Sequence, residues 1–174
     1  MKRLTLLLPA VALFFGILIP NAQAQSSSVT AQAFAEVIAA ITATETSQLN
    51  FGRFSPEEMG GQIQLSPRGD RRATGSLQLS GGLHNPAGFY ITGQSNSTFS
   101  ITLPAGPAVL TNLANAKTMT VGSWESIPPA GLSAGFLDGG SQAISVGATL
   151  NVGGMNDNPV GIYSGTYSIT FAYN

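Results

Sequence analysis

The chain has 174 residues, of which 43% are hydrophobic and only 9% charged, with a formal net charge of −1 and no cysteine. Disulfides, cysteine-ligated metals and cysteine-linked lipid anchors are thereby excluded, and so weak a charge holds nothing that attracts nucleic acid or anionic lipid. Glycine at 21 positions and proline at 10 suit short strands and tight turns better than long helices.

Residues 1–24 read as a secretory signal peptide. Lys2 and Arg3 form a positive n-region, Leu4 to Ile19 an apolar h-region, and Ala22-Gln23-Ala24 a small-residue cleavage site. An uncleaved anchor is the alternative, but a spanning helix wants about 20 apolar residues, and this stretch has 16 and contains Pro9. Cleavage after Ala24 would leave 150 residues, with 5 basic and 8 acidic side chains and a net charge of −3. Residues 25–174 are one domain's worth and could bury about two-thirds of their unfolded surface. The expected location is secreted, periplasmic or on the outer surface of a bacterium, with no stable membrane span after cleavage.

The first segment of that domain, Val29–Thr44, carries two patterns. Val29, Ala31, Ala33, Ala35, Val37, Ala39, Ile41 and Ala43 alternate as a strand would, whereas Phe34, Val37, Ile38 and Ile41 fit a helical face. It is read as a strand, with the helix left open. Further strands are expected at Gln48–Phe54, Gly61–Ser66, Gly75–Ser80, Gly88–Gly93, Ser97–Leu103, Lys117–Ser123, Gln142–Val152 and Thr166–Tyr173. Between them lie breakers such as Ser55-Pro56, Pro67-Arg68-Gly69-Asp70, Asn85-Pro86 and Asn156-Asp157-Asn158-Pro159. Seven to nine strands in this length imply an all-β, antiparallel, immunoglobulin-like sandwich. In the last segment Tyr167, Ile169, Phe171 and Tyr173 should share one face, and Thr166, Ser168, Thr170 and Ala172 the other.

Chemistry is sparse along the chain. His84, the only histidine, sits in Leu83-His84-Asn85-Pro86, a turn without a nucleophile signature around it. Glu57 and Glu58 are adjacent, which is not how a strand presents a carboxylate pair across a sugar-sized cleft; they are expected in a loop. Asn156-Asp157-Asn158 offers oxygen ligands for a hard cation, yet the same residues make good turns. Arg68-Gly69-Asp70 is an ordinary turn sequence that also spells an adhesion tripeptide, and Arg71 and Arg72 beside it suggest a small basic tip. Trp124 could stack on a sugar ring, but filling the end of a core is the commoner use. No catalytic, metal or cofactor set assembles, and an enzyme is not expected.

Three stretches, Leu49-Asn50-Phe51-Gly52, Val146–Val152 and Gly161–Tyr173, resemble in order and spacing a family of small secreted bacterial proteins known as domain of unknown function 4402. The resemblance covers most of residues 25–174 and implies a fold class, with no activity attached. More loosely, the ending with Tyr163 and Tyr173 is similar to the last strand of chaperone–usher pilins and spore-coat-like subunits. Those are sandwiches completed by a neighbour's amino-terminal strand, and the likeness implies self-association or a periplasmic chaperone as partner. The expected function is a non-enzymatic, fimbria-like structural subunit. Its assembly strands would be Val29, Ala31, Ala33, Ala35 and Val37 at one end and Tyr167, Ile169, Phe171 and Tyr173 at the other. A monomeric sandwich binding a ligand such as a glycan through its loops is the alternative.

Overall fold

A computed structural model describes residues 25–174; the segment read as a signal peptide, residues 1–24, lies outside them. The chain falls into two units, Met1–Glu36 and Val37–Asn174. In the first, the described residues 25–36 form neither helix nor strand, and all are exposed.

The second unit is built from eleven strands joined wholly in antiparallel pairs. They are β1 (Thr42–Ser47), β2 (Phe54–Leu65), β3 (Arg71–Leu79), β4 (Ala87–Thr92), β5 (Thr98–Thr102) and β6 (Ala108–Asn112). After these come β7 (Thr118–Ile127), β8 (Gly131–Phe136), β9 (Ser141–Val152), β10 (Tyr163–Ser164) and β11 (Thr170–Tyr173). One sheet runs β1-β4-β9-β7-β6-β10, with β2 also on β9 and β3 on β2; the other runs β11-β5-β8. The expected all-β antiparallel sandwich is therefore present, and no helix occurs among the described residues.

β9 organises the larger sheet. Its alternate residues Ile144, Val146, Ala148, Leu150 and Val152 are all buried, as period-2 geometry requires of a half-buried strand. Ser141–Val146 pair with β4, Ala148–Val152 pair with β2, and β7 lies along the opposite edge. The exchange of partners falls at Gly147. A Cβ there would overlap the backbone of Leu65–Pro67, so only glycine lets the two neighbours of β9 meet end to end.

Two cores follow from this division. One gathers Phe51, Ile63, Leu65, Leu77, Met119, Val121, Leu150 and Val152 around β2, β7 and the second half of β9. The other gathers Ala87, Ile91, Phe99, Ile101, Leu137, Ile144 and Val146 between β4, the first half of β9 and the smaller sheet. Leu49 and Trp124 pack against both. Each fully buried Leu, Ile, Val or Phe contributes about 1.5 to 3 kcal/mol over its exposed state.

Several expectations are corrected. Val29–Thr44 is neither one strand nor a helix: only Thr42–Thr44 join a sheet, where they meet Thr92, Ile91 and Tyr90 of β4. Alternation alone makes no strand where no partner edge is in place. Gln48–Arg53 is a connection holding one bridge, Asn50 to Asn85. Ser55-Pro56 does not interrupt β2, because Pro56 lies where β2 pairs only with β3, ahead of its pairing with β9, and its missing N–H is lost on an unpaired side. Glu57 and Glu58 accordingly sit in the bulged stretch of β2, between Pro56 and Gly61, and not in a loop. Strands β6, β8 and β10 raise the expected seven to nine to eleven.

Candidate functional site

The feature that stands out is the long side where β1 and β11 end their respective sheets. Each pairs on one side only, β1 with β4 and β11 with β5. Cross-strand partners share a face, so Ala43, opposite the fully buried Ile91, and Glu45, opposite Phe89, are on the side of β1 turned to the smaller sheet. Both are nevertheless exposed. The facing residues of the last segment, Tyr167, Ile169, Phe171 and Tyr173, are only half-buried, and so are Ile41 and Phe89. Interior faces at this margin are thus left partly uncovered by the chain itself.

Aromatic side chains wall the opening. The Phe171 ring lies 5.8 Å from Phe89 and 6.2 Å from Phe99, the latter edge-on. Tyr167 packs on Trp124 at 4.7 Å with the rings tilted by 34°. Its hydroxyl is buried without a hydrogen-bond partner. Burial of the phenol, and secondarily the Glu45 carboxylate, pushes its pKa up to about 12. At the other end the Tyr173 hydroxyl donates to the Ala39 carbonyl at 2.9 Å and accepts from the Gln94 N–H at 2.6 Å. That hydroxyl ties the entry of β1 to the end of β11.

The alternation expected of the last segment is present: Tyr167, Ile169, Phe171 and Tyr173 face the core, while Thr166, Ser168, Thr170 and Ala172 are exposed. Regular strand pairing begins only at Thr170, because the chain leaves β10 on β6 and crosses to β5 between Gly165 and Ile169. Val29, Ala31, Ala33, Ala35 and Val37 lie in irregular, exposed chain, with Val29 at 88% and Val37 at 98% exposure.

The remaining candidates are scattered. His84 is exposed in the connection that precedes β4. Arg68-Gly69-Asp70 forms the β2–β3 turn, closed by the Gly69 N–H donating to the Ser66 carbonyl at 2.9 Å. Arg71 does not form a basic tip. Its guanidinium turns inward and donates to the carbonyls of Phe51 and Ser80, both at 2.9 Å. Asn158, a turn residue with an oxygen that a cation could have used, is buried: its side chain accepts from the Gly153 N–H and donates to the Thr118 carbonyl at 2.8 Å. Among the described residues no three His, Cys, Asp or Glu side chains converge on a common point.

Trp124 sits within β7, at a bulge where Ser123 adopts a left-handed backbone with φ of 48°. It lines an open cleft of about 330 Å³ with Leu103, Pro104, Gly106, Pro107 and Ser123. Sequence reasoning missed Glu45 and Phe89 and misplaced Arg71. The first two share a face with known core positions only once the β1–β4 register is fixed, and no local pattern reports that register.

A family model described as a domain of unknown function, DUF4402, matches residues 41–173. No curated protein and no solved structure matches the chain.

Proposed function

The chain belongs to the family DUF4402, and on that footing we propose that it is a non-enzymatic structural subunit, exported to the periplasm or outer surface of a bacterium, that assembles by exchange of terminal β-strands. One observation carries the reading. From Val29 to Ile41 the odd positions are all apolar, Val29 and Val37 are almost fully exposed, as is Phe34 between them, and this stretch forms no strand of its own. Exposed apolar chain of this length is unfavourable in water by roughly 25 cal/mol per Å², and a sheet edge would both cover it and satisfy its backbone. The binding chemistry is main-chain hydrogen bonding along an edge, with register set by alternating side chains.

Size-exclusion chromatography of residues 25–174 tests it. Ladders or concentration-dependent oligomers, abolished by removing residues 25–41, are the expected result. A clean monomer at every concentration would favour the second reading, a monomeric protein that binds a ligand such as a glycan beside Trp124. That reading is supported by the open cleft and by the strained Ser123 next to it, since bulges and strained residues often re-aim side chains at binding sites.

A further inference from the structure

We propose that Gln25 is a modification site: as the first residue of the exported chain, it closes on itself to a pyroglutamyl ring. The inference rests on the export reading above and goes beyond it by naming a covalent step and the residue that undergoes it. Cleavage at Ala22-Gln23-Ala24 would leave Gln25 first in the chain, with a free α-amine. The step needs no co-reactant. The amine nitrogen attacks Cδ of the side-chain carboxamide; the new N–Cδ bond forms, the Cδ–Nε2 bond breaks, and ammonia leaves with one proton from the amine. A five-membered lactam remains, and nothing is oxidised or reduced.

Local structure leaves that closure unopposed. The amine and the carboxamide of one residue must turn towards each other, and a sheet or helix would hold one of them elsewhere. Gln25 is exposed, and residues 25–36 form neither helix nor strand. Ser26, Ser27 and Ser28 are small and also exposed, so no bulky neighbour crowds the carboxamide. α-Amines titrate only about one pH unit above neutral, so at neutral pH an appreciable share is the free base that the attack requires. No acidic side chain stands closer in sequence than Glu36 to hold the amine protonated. Closure also changes what the segment carries. Between Gln25 and Arg53 there is no Lys, Arg or His, which makes the α-amine the only cation of that stretch, and the ring removes it as any terminal block does. An aminopeptidase then finds no primary amine at the head of an exposed, irregular segment of the kind proteases favour. The apolar positions from Val29 onward can likewise be covered without desolvating a nearby ammonium.

The test expresses the full chain in a bacterial host that exports it, then measures the intact mass of the purified protein and fragments it to read its first residues. The expected protein begins at position 25 and is lighter, by the mass of one ammonia, than a chain with an open Gln25. Aminopeptidase should release nothing from it until a pyroglutamyl peptidase has removed the ring. Gln25→Ser, which keeps a small side chain just after the cleavage site, should carry a free serine terminus and be trimmed by aminopeptidase directly. A chain that begins at Gln25 and keeps its amine through prolonged incubation at neutral pH would overturn the ring and leave export standing. Cleavage at another residue would overturn Gln25 as the site, again with export intact. A chain that still begins at Met1 would overturn both.

Discussion

The ring of Phe99 occupies the space that a Cβ on Gly135 would need. The two residues are directly opposite across the β5–β8 pair, and Phe99 is completely buried. Gly135→Ala should therefore displace the ring and cost about 1 to 3 kcal/mol, the usual penalty of overpacking. Gly81→Ala, at a site with nothing within 4 Å, should lie within about 0.5 kcal/mol of the parent. Urea denaturation of both variants makes the comparison, and equal midpoints would remove the Phe99–Gly135 contact from the account.

Arg71 stitches the Phe51–Arg53 connection to the end of β3. Arg71→Ala should cost about 1.5 to 3 kcal/mol, as loss of hydrogen bonds from a charged donor commonly does. Arg71→Lys should recover only part of that, because a point charge cannot serve carbonyls on two separate segments as the guanidinium fork does. Thermal melts of the pair decide it; full recovery by lysine would show that charge alone matters.

Tyr167 predicts an alkaline instability. Its folded pKa, about 12, exceeds the ordinary phenol value of 10.0, so the folded chain keeps a proton that the unfolded chain has already released. Stability is fully present below about pH 10 and falls as the pH rises through 10 towards 12. Tyr167→Phe also removes a buried hydroxyl without a partner, so it should be neutral or stabilising at pH 7 and should flatten that alkaline decline. Denaturation midpoints measured across the window check both halves of the claim.

The last segment should show a two-faced response. Phe171→Ala removes a ring packed on Phe89 and Phe99 and should cost about 2 to 4 kcal/mol, somewhat less than a fully buried phenylalanine. Thr170→Ala, on the exposed face, should change stability by no more than about 0.5 kcal/mol. Comparable losses at the two positions would mean that a partner also covers the outer face.

Asn158→Ala should cost about 1 to 3 kcal/mol, because it leaves the Gly153 N–H and the Thr118 carbonyl without their partner in a partly buried place. Added calcium should not change the melting temperature of the parent chain if this amide is a clasp; a calcium-dependent rise would show that the turn holds a cation after all.

What could be read in the sequence was whatever local alternation decides. β9 announces itself through Ile144, Val146, Ala148, Leu150 and Val152, and the last segment through Tyr167, Ile169, Phe171 and Tyr173. Alternation failed at Val29–Ile41, since the pattern states which residues would share a face but not whether an edge exists to pair with. It failed again at Pro56, where the missing N–H is harmless on the unpaired side of β2. Glu45 and Arg71 were legible only as charges. Their placement depends on the β1–β4 register and on a guanidinium reaching carbonyls 9 to 20 positions away in sequence, which are tertiary facts.

The partner exchange at Gly147 has a consequence for the timing of folding. β4 and β2 both wait for β9, whose residues follow theirs by about fifty to ninety positions: Thr92 meets Ser141, and Gly61 meets Val152. The β2–β3 hairpin can close locally, through its turn at Pro67–Asp70, and so can the β6–β7 hairpin, through the turn between Asn112 and Thr118. The places of β2 and β4 in the larger sheet are fixed only when a single late strand arrives and locks two neighbours at once. Such non-local closure places folding in the millisecond-to-second range typical of sandwiches, not the microseconds of helical bundles. During that interval the apolar strands stand open to whatever other β-edge they meet first.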